Sequence, residues 1–330
     1  MAIYTNAQNT YSQIGIKEDL AEMVYRIDPE ETPFQSNIAT KGRAKNTLVE
    51  WQTQALAPPA ANYQIEGDVT NAGTATARAR LNNRCAISKK VYAVTGTSQY
   101  VEVAGVDSEL DEQRLLKGVE LKRDMEVTLL ANTAYDAGST GTARKCAGLP
   151  AYVTNADTTS MGSFTVSSGT GSTAWNLAGA TVRPMSLTIL NAAMKTAYVS
   201  GGKPKMLMVS PDQKVNFSQL ALASNLSGGV QIRYNLNQVR PAALIGAVET
   251  WQSDFGALDV IVNVQQASDA AFLNKTAFLI DPRFVDVAFL RPFQVESLAK
   301  TGDAEAEHVI AEYTLRVGAP KAHAVLPMLA

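Results

Sequence analysis

The 330 residues include only two cysteines and two histidines. Cys85 and Cys146 lie far apart in sequence and match no CxxC or Cys/His metal spacing, so plain thiols in a reducing compartment are expected. His308 and His323 both fall near the end of the chain, and no GxSxG elbow supplies a nucleophile for them to serve. Each histidine therefore reads as a strand-face residue, and no active site is expected. An excess of basic charge is also missing: 29 Lys+Arg against 31 Asp+Glu leaves a net charge of -2. Tight, salt-dependent phosphate binding needs a basic field, so any contact with nucleic acid should be weak. The longest uncharged run, Thr158 to Val182, is mostly Ser, Thr, Gly and Ala, and nothing approaches the apolar span of a membrane helix. Met1 to Ile16 lacks the basic start and apolar core of a signal peptide. A soluble chain made in the cytoplasm, with no membrane partner, is expected.

Two glycine motifs lack the context their chemistry needs. Gly169-Thr170-Gly171-Ser172-Thr173-Ala174 satisfies GxGxxA, but no Asp or Glu occurs from Thr158 to Pro211 to hold a ribose, and no helical pattern begins at the glycines. Gly202-Lys203 resembles the end of a phosphate loop, yet Pro204 stands where Ser or Thr is required. Neither implies a cofactor, and no metal is expected.

What is present is a globular composition, 46% hydrophobic and 18% charged, with room for a large core and two lobes. The organisation is α+β. Residues 17–25 carry helical spacing through Ile16, Leu20 and Val24. Pro29 and Pro33 then push Asp28 and Thr32 toward extended geometry, predicting an extended strap that holds the acidic pair Glu30-Glu31. From Asn46 the period changes to two: Thr47, Val49, Trp51 and Thr53 alternate with Glu50, Gln52 and Gln54. Beyond a polar tip at Glu66-Gly67-Asp68, Ala77, Ala79, Leu81 and Ile87 oppose Arg78, Arg80 and Arg84. The two runs predict one long hairpin. Arms of roughly 20 residues at about 3.3 Å each reach on the order of 60 Å, far beyond a body whose radius of gyration is about 20 Å. Such a ribbon has little of its own chain to rest on and needs neighbours.

Asp107-Ser108 caps a predicted helix running to about Ala134, with acidic residues in its first turn and Leu121, Met125 and Leu129 in one row. Residues 136–180 read as a surface excursion with short strands, interrupted by the apolar run Ala147 to Tyr152. A helix after Pro184, a buried strand ending at Ser210-Pro211 and a further helix through Phe217 and Leu220 follow. Strands dominate the last third: Leu258, Val260 and Val262 face one side, and later Val309, Ala311, Tyr313, Leu315 and Val317 do the same.

Four stretches in this order carry a family resemblance. They are Arg26-Ile27-Asp28-Pro29-Glu30-Glu31-Thr32-Pro33-Phe34, the long helix, the helix-strand-helix around Lys205 to Pro211, and the closing run Glu312 to His323. The chain resembles, from about Ile14 to Leu329, the SU10-like major head proteins of tailed bacteriophages, which use the Hong Kong-97-type capsid fold. The resemblance implies an N-terminal arm and strap over 1–45, an extended hairpin loop with flanking strands over 46–100, and a spine helix with the start of a peripheral domain over 101–145. It implies a mainly axial domain over 146–265 and mainly peripheral-domain strands over 266–330. The implied function is structural: hexamers and pentamers forming an icosahedral shell around double-stranded DNA. The candidate inter-subunit contacts are Trp51, Glu66, Asp68, Arg78, Arg80, Arg84, Glu30 and Glu31, with the arginines meeting acidic groups of a neighbouring strap or spine. Expected partners besides further copies are a separate scaffolding protein, or assembly without one, since no room remains for a fused one, together with a portal, a possible cement protein and weakly held DNA. Lysine is absent from Asn46 to Ser88, so the isopeptide cross-link known in this fold is not expected through the loop tip. A nanocompartment shell of the same fold, enclosing an enzyme, is the alternative.

Overall fold

The computed structural model describes residues 28–330 apart from 68, 70–72, 74, 157–160, 163 and 223–248. The helix expected over 17–25 and the side chain of Asp68 lie outside the described residues. In chain order the elements are α1 (Pro33–Asn37), β1 (Ala39–Arg43), β2 (Leu48–Thr53), β3 (Ala79–Arg84), β4 (Ala86–Thr95), α2 (Gly96–Tyr100), α3 (Glu109–Leu130), α4 (Leu187–Val199), β5 (Met206–Val209), α5 (Pro211–Leu222), β6 (Thr250–Ser253), β7 (Gly256–Val262), β8 (Ala277–Ile280), β9 (Val285–Ser297), β10 (Ala304–Val317) and β11 (Ala324–Leu326).

The strands form a four-stranded sheet in the order β1-β9-β10-β4, a five-stranded sheet in the order β11-β8-β5-β7-β6, and the separate ribbon β2-β3. In the first sheet β1 runs parallel to β9 while β9, β10 and β4 are antiparallel. In the second, β5 and β7 are parallel and the remaining pairs antiparallel.

Helix α3 begins where the sequence predicts, with the Ser108 hydroxyl accepting the Asp111 amide at 3.4 Å. Its Leu121, Met125 and Leu129 row is fully buried. It stops at Leu130 rather than near Ala134, so its 22 residues span about 33 Å at 1.5 Å per residue. The reason lies in the segment after it. Gly148 packs so closely on the Ala131 carbonyl that a β-carbon would collide with it, and the Gly148 amide donates to Thr133 O at 3.1 Å. The apolar run flanked by Cys146 and Val153 is thereby buried under the helix end, an inward crossing rather than part of a surface excursion.

Strands β5 and β8 are buried along their whole length, because each face meets a different core. Met206, Met208, Phe278 and Ile280 join α3, residues 146–153 and the four-stranded sheet. Leu207, Val209 and Leu279 join Leu190 and Met194 of α4 and Phe217 of α5. Continuous apolar runs are what two-sided burial requires.

Two expectations are corrected in the first part of the chain. The strap does not stay extended through Phe34: Pro33 opens the helical turn α1, where its fixed φ and missing amide proton suit the first helical position. The hairpin is also paired over only six residues on each side, from Leu48↔Arg84 to Thr53↔Ala79, about 20 Å at 3.3 Å per residue. The alternation does not carry on to Ile87. Cys85 and Ala86 are both buried, so the side-chain parity flips there, β4 joins the other sheet, and Ile87 emerges exposed.

Candidate assembly surfaces

The ribbon is seated on its own body, contrary to the expectation of little support. Trp51 Nε1 donates to Val317 O at 2.9 Å, and its ring lies 5.7 Å from that of Tyr152. The Tyr152 hydroxyl donates in turn to Asn82 O at 2.7 Å. Asn83, fully buried, completes the joint: its Nδ2 donates to Leu315 O at 2.7 Å and its Oδ1 accepts the Ala147 amide at 2.9 Å. Sequence reasoning placed Trp51 at an interface with another copy and passed over Asn83. A polar Asn-Asn pair beside Leu81 in this strand was the signal available.

Arg80 stands across from Gln52 in register and places Nη1 3.4 Å from Glu50 Oε2, while Arg78 Nη1 donates to Gln52 Oε1 at 3.3 Å. Both lie on the solvent face opposite Trp51, and Arg84 is half-buried at the base of the ribbon. Exposed pairs of this kind stabilise by about 0–1 kcal/mol, which leaves Arg78 and Arg80 with spare donors.

Just beyond the ribbon Gln54 Nε2 still donates to Thr76 O at 3.1 Å, and the described residues further out are exposed. Leu56 is 94% exposed, Tyr63 93% and Ile65 81%, and Glu66, in the same stretch, is exposed at a turn where Gly67 takes φ +83°. A second exposed apolar group, Tyr100 and Val101, sits at the end of α2. Apolar side chains grouped at such exposure mark an interaction surface.

A buried carboxylate anchors the strap to the spine, beside the Gln35 Nε2 bond to Lys122 O at 2.8 Å. Glu126 of α3 is fully buried and accepts the Phe34 amide at 2.6 Å, the Gln35 amide at 3.0 Å and Asn263 Nδ2 at 2.9 Å. Burial raises its pKa above the usual carboxylate range, opposed by those same hydrogen bonds. Gln265 Nε2 donates to Pro29 O at 3.1 Å, and Arg123 lies 3.9 Å from Asp28. Glu30 and Glu31 remain exposed at the surface of this strap.

Several other titratable groups are committed to structure. Glu307 accepts from Tyr92 at 2.5 Å and from Nε and Nη2 of Arg114, and the Tyr92 bond, followed by Arg114, holds its carboxyl below the usual range. His308 faces Glu296 at 3.3 Å. Burial pushes the Cys85 thiol up to about 11, reinforced by Cys146, and raises Cys146 as well. The GxGxxA stretch is a packing turn: Gly171, at φ +81°, presses on the Tyr152 ring where a β-carbon would collide. Among the described residues no helix is long and apolar enough to cross a membrane.

The solved structures this chain is similar to include one from Mycobacterium phage Bobi, with a TM-score of 0.60 at 13% identity over 96% of each chain. The capsid structure of cyanophage P-SCSP1u matches with a TM-score of 0.55 at 11% identity, over 98% of this chain and 97% of that one. These likenesses carry the fold, an α+β capsid fold of the Hong Kong-97 type. The major capsid protein of Escherichia phage Phieco32 is 33% identical over 126 residues, 38% of this chain and 36% of that protein. The chain thus aligns with little more than a third of that curated relative. The signature of the SU10 major capsid protein family, by contrast, matches residues 3–330. With nearly every residue inside that match, the chain belongs to the SU10 major capsid protein family and is a structural subunit of a phage capsid.

Proposed function

We propose that this subunit assembles as hexamers and pentamers into an icosahedral shell around double-stranded DNA, and that the loop beyond β2 and β3 lies across an adjacent copy. The observation that carries this reading is the loop itself: Leu56, Tyr63 and Ile65 are almost wholly exposed on a ribbon whose base is firmly anchored. Burying each such side chain is worth about 1.5–3 kcal/mol, so a neighbour that covers the loop gains far more than the rim ion pairs supply. Arg78 and Arg80 then reach acidic groups of that neighbour, with the exposed Glu30 and Glu31 of a strap as candidates.

In this reading the five-stranded sheet with α4 and α5 belongs to the axial part of the subunit. The four-stranded sheet with α3 forms the peripheral part and the spine. The role is structural rather than catalytic, since both histidines and both thiols are held in packing or pairing. The net charge of -2 suits DNA confined by the shell rather than bound tightly to its wall. A separate scaffolding protein, a portal and a cement protein are the further partners proposed.

Deleting residues 56–76 tests the reading. The expected result is a folded subunit that forms no closed shells by negative-stain electron microscopy. Shells at normal yield would overturn the role of the loop.

A further inference from the structure

β1 is an edge strand of the four-stranded sheet. Its register against β9 shifts between Thr40 and Arg43, where Gly42 takes φ +82°. Such a bulge re-aims the following side chain. Arg43 and Lys45 both emerge exposed, beside an open hollow of about 340 Å³ lined by Arg43, Ala44, Lys45 and Leu290. Neither cation has an ion-pair partner among the described residues. The loop tip offers the complementary set. Glu66 is exposed and has no ion-pair partner among the described residues, presented by the turn at Gly67, with Tyr63 and Ile65 next to it.

The two sets do not cover each other within one chain, because both remain exposed. The ribbon also separates them: Lys45 precedes its base, whereas the loop leaves its far end, about 20 Å away for six paired residues. We infer that the basic hollow at β1 is the seat for the loop tip of a second copy, Glu66 facing Arg43 and Lys45 while Tyr63 or Ile65 enters the space beside Leu290. This rests on the reading of the loop as an inter-subunit contact and adds where it lands. A patch meeting a different patch is a heterologous contact, which repeats head to tail and closes into rings. The carboxylate-rich start of α3, with Asp107, Glu109 and Asp111, is the poorer seat, since it would repel Glu66.

The test uses two full-length chains, Glu66→Arg, and Arg43→Glu with Lys45→Glu, each checked for folding by circular dichroism and expressed where the wild-type chain forms shells. Removing one exposed pair weakens a contact by up to about 5-fold, and reversal acts at every contact of the shell, so each variant alone should yield few shells. Mixed in equal amounts they should recover much of the yield, because alternating the two chains restores opposite charges at every contact of a hexamer and at four of the five in a pentamer. Wild-type yield from either variant alone, or no recovery on mixing, overturns the seat. The 56–76 deletion separates the two levels: shells that survive it remove the loop reading itself, whereas shells that need the loop but ignore the charges remove only this seat.

Discussion

His323 has no exposed surface, and its Nδ1 accepts the Asp281 amide at 3.1 Å while Nε2 finds no partner among the described residues. Burial lowers its pKa from 6.5 to about 4, opposed by the Asp281 charge. Burial also works against ionisation of Asp281, but bonds from Arg283 and the Lys203 amide hold its carboxyl below the usual range. The sign for His323 follows from its depressed value: the unfolded chain binds the proton first. Stability is therefore fully present above 6.5 and is lost as pH falls toward 4. At pH about 4.5 the loss from this residue alone should be about 2–3 kcal/mol. Denaturant unfolding of the subunit should show that fall between neutral and acid pH, and His323→Gln should flatten it. Equal pH dependence in the two proteins would show that the imidazole is not the group responsible. The sequence placed His323 beside the last strands, but what buries it, the return of the chain along β8, is a long-range contact that no local pattern encodes.

At the scale of elements, the strap, α3 and the end of β7 meet on Glu126. Glu126→Ala should destabilise the subunit by about 3 kcal/mol, because the buried Phe34 and Gln35 amides and the Asn263 amide lose their acceptor together. Glu126→Gln is expected to be no rescue: each carboxylate oxygen accepts from a backbone amide, and the glutamine NH₂ would face one of those donors. Hydrogen exchange at Phe34 and Gln35 checks this, with much faster exchange expected in both variants and wild-type protection counting against the clamp. The helices were legible because caps and apolar rows are local: Ser108 and the Leu121, Met125, Leu129 row place α3, and the spacing after Pro184 through Leu190 and Met194 places α4. The end of α3 was not, since Gly148 arrives from a later segment to occupy the space above Ala131. The hairpin was legible only where alternation coincides with pairing. At Ala77 and Arg78 the spacing already alternates without a partner strand, and past Arg84 the chain changes sheets within one residue. Glu126 itself reads in sequence as one more helix charge, because its value comes from a strap 92 residues earlier and Asn263, 137 residues later.

For the whole molecule, the question is what holds many copies of a chain that carries so little linking chemistry. Covalent joining through the loop would need a reactive side chain there, but the residues from Asn46 to Ser88 include no lysine, and Lys89 already lies on β4, paired in register with Ile310. Joining through thiols would need an exposed thiolate. Cys85 and Cys146 are both free and buried, with their pKa values raised, which keeps them protonated and inert. In the proposed reading the shell draws its strength from repetition, with apolar burial at each loop and modest ion pairs multiplied over every contact. Its resistance to disruption should accordingly be that of non-covalent association. Shells boiled in SDS without reductant should migrate as a single band at the 35.3 kDa of one chain, and thiol reagents should label native shells only after unfolding. A ladder of covalent multiples would mean that a lysine outside the loop, or a thiol freed by assembly, reaches a neighbour. The anchored ribbon would then be a device for positioning a bond rather than the contact itself.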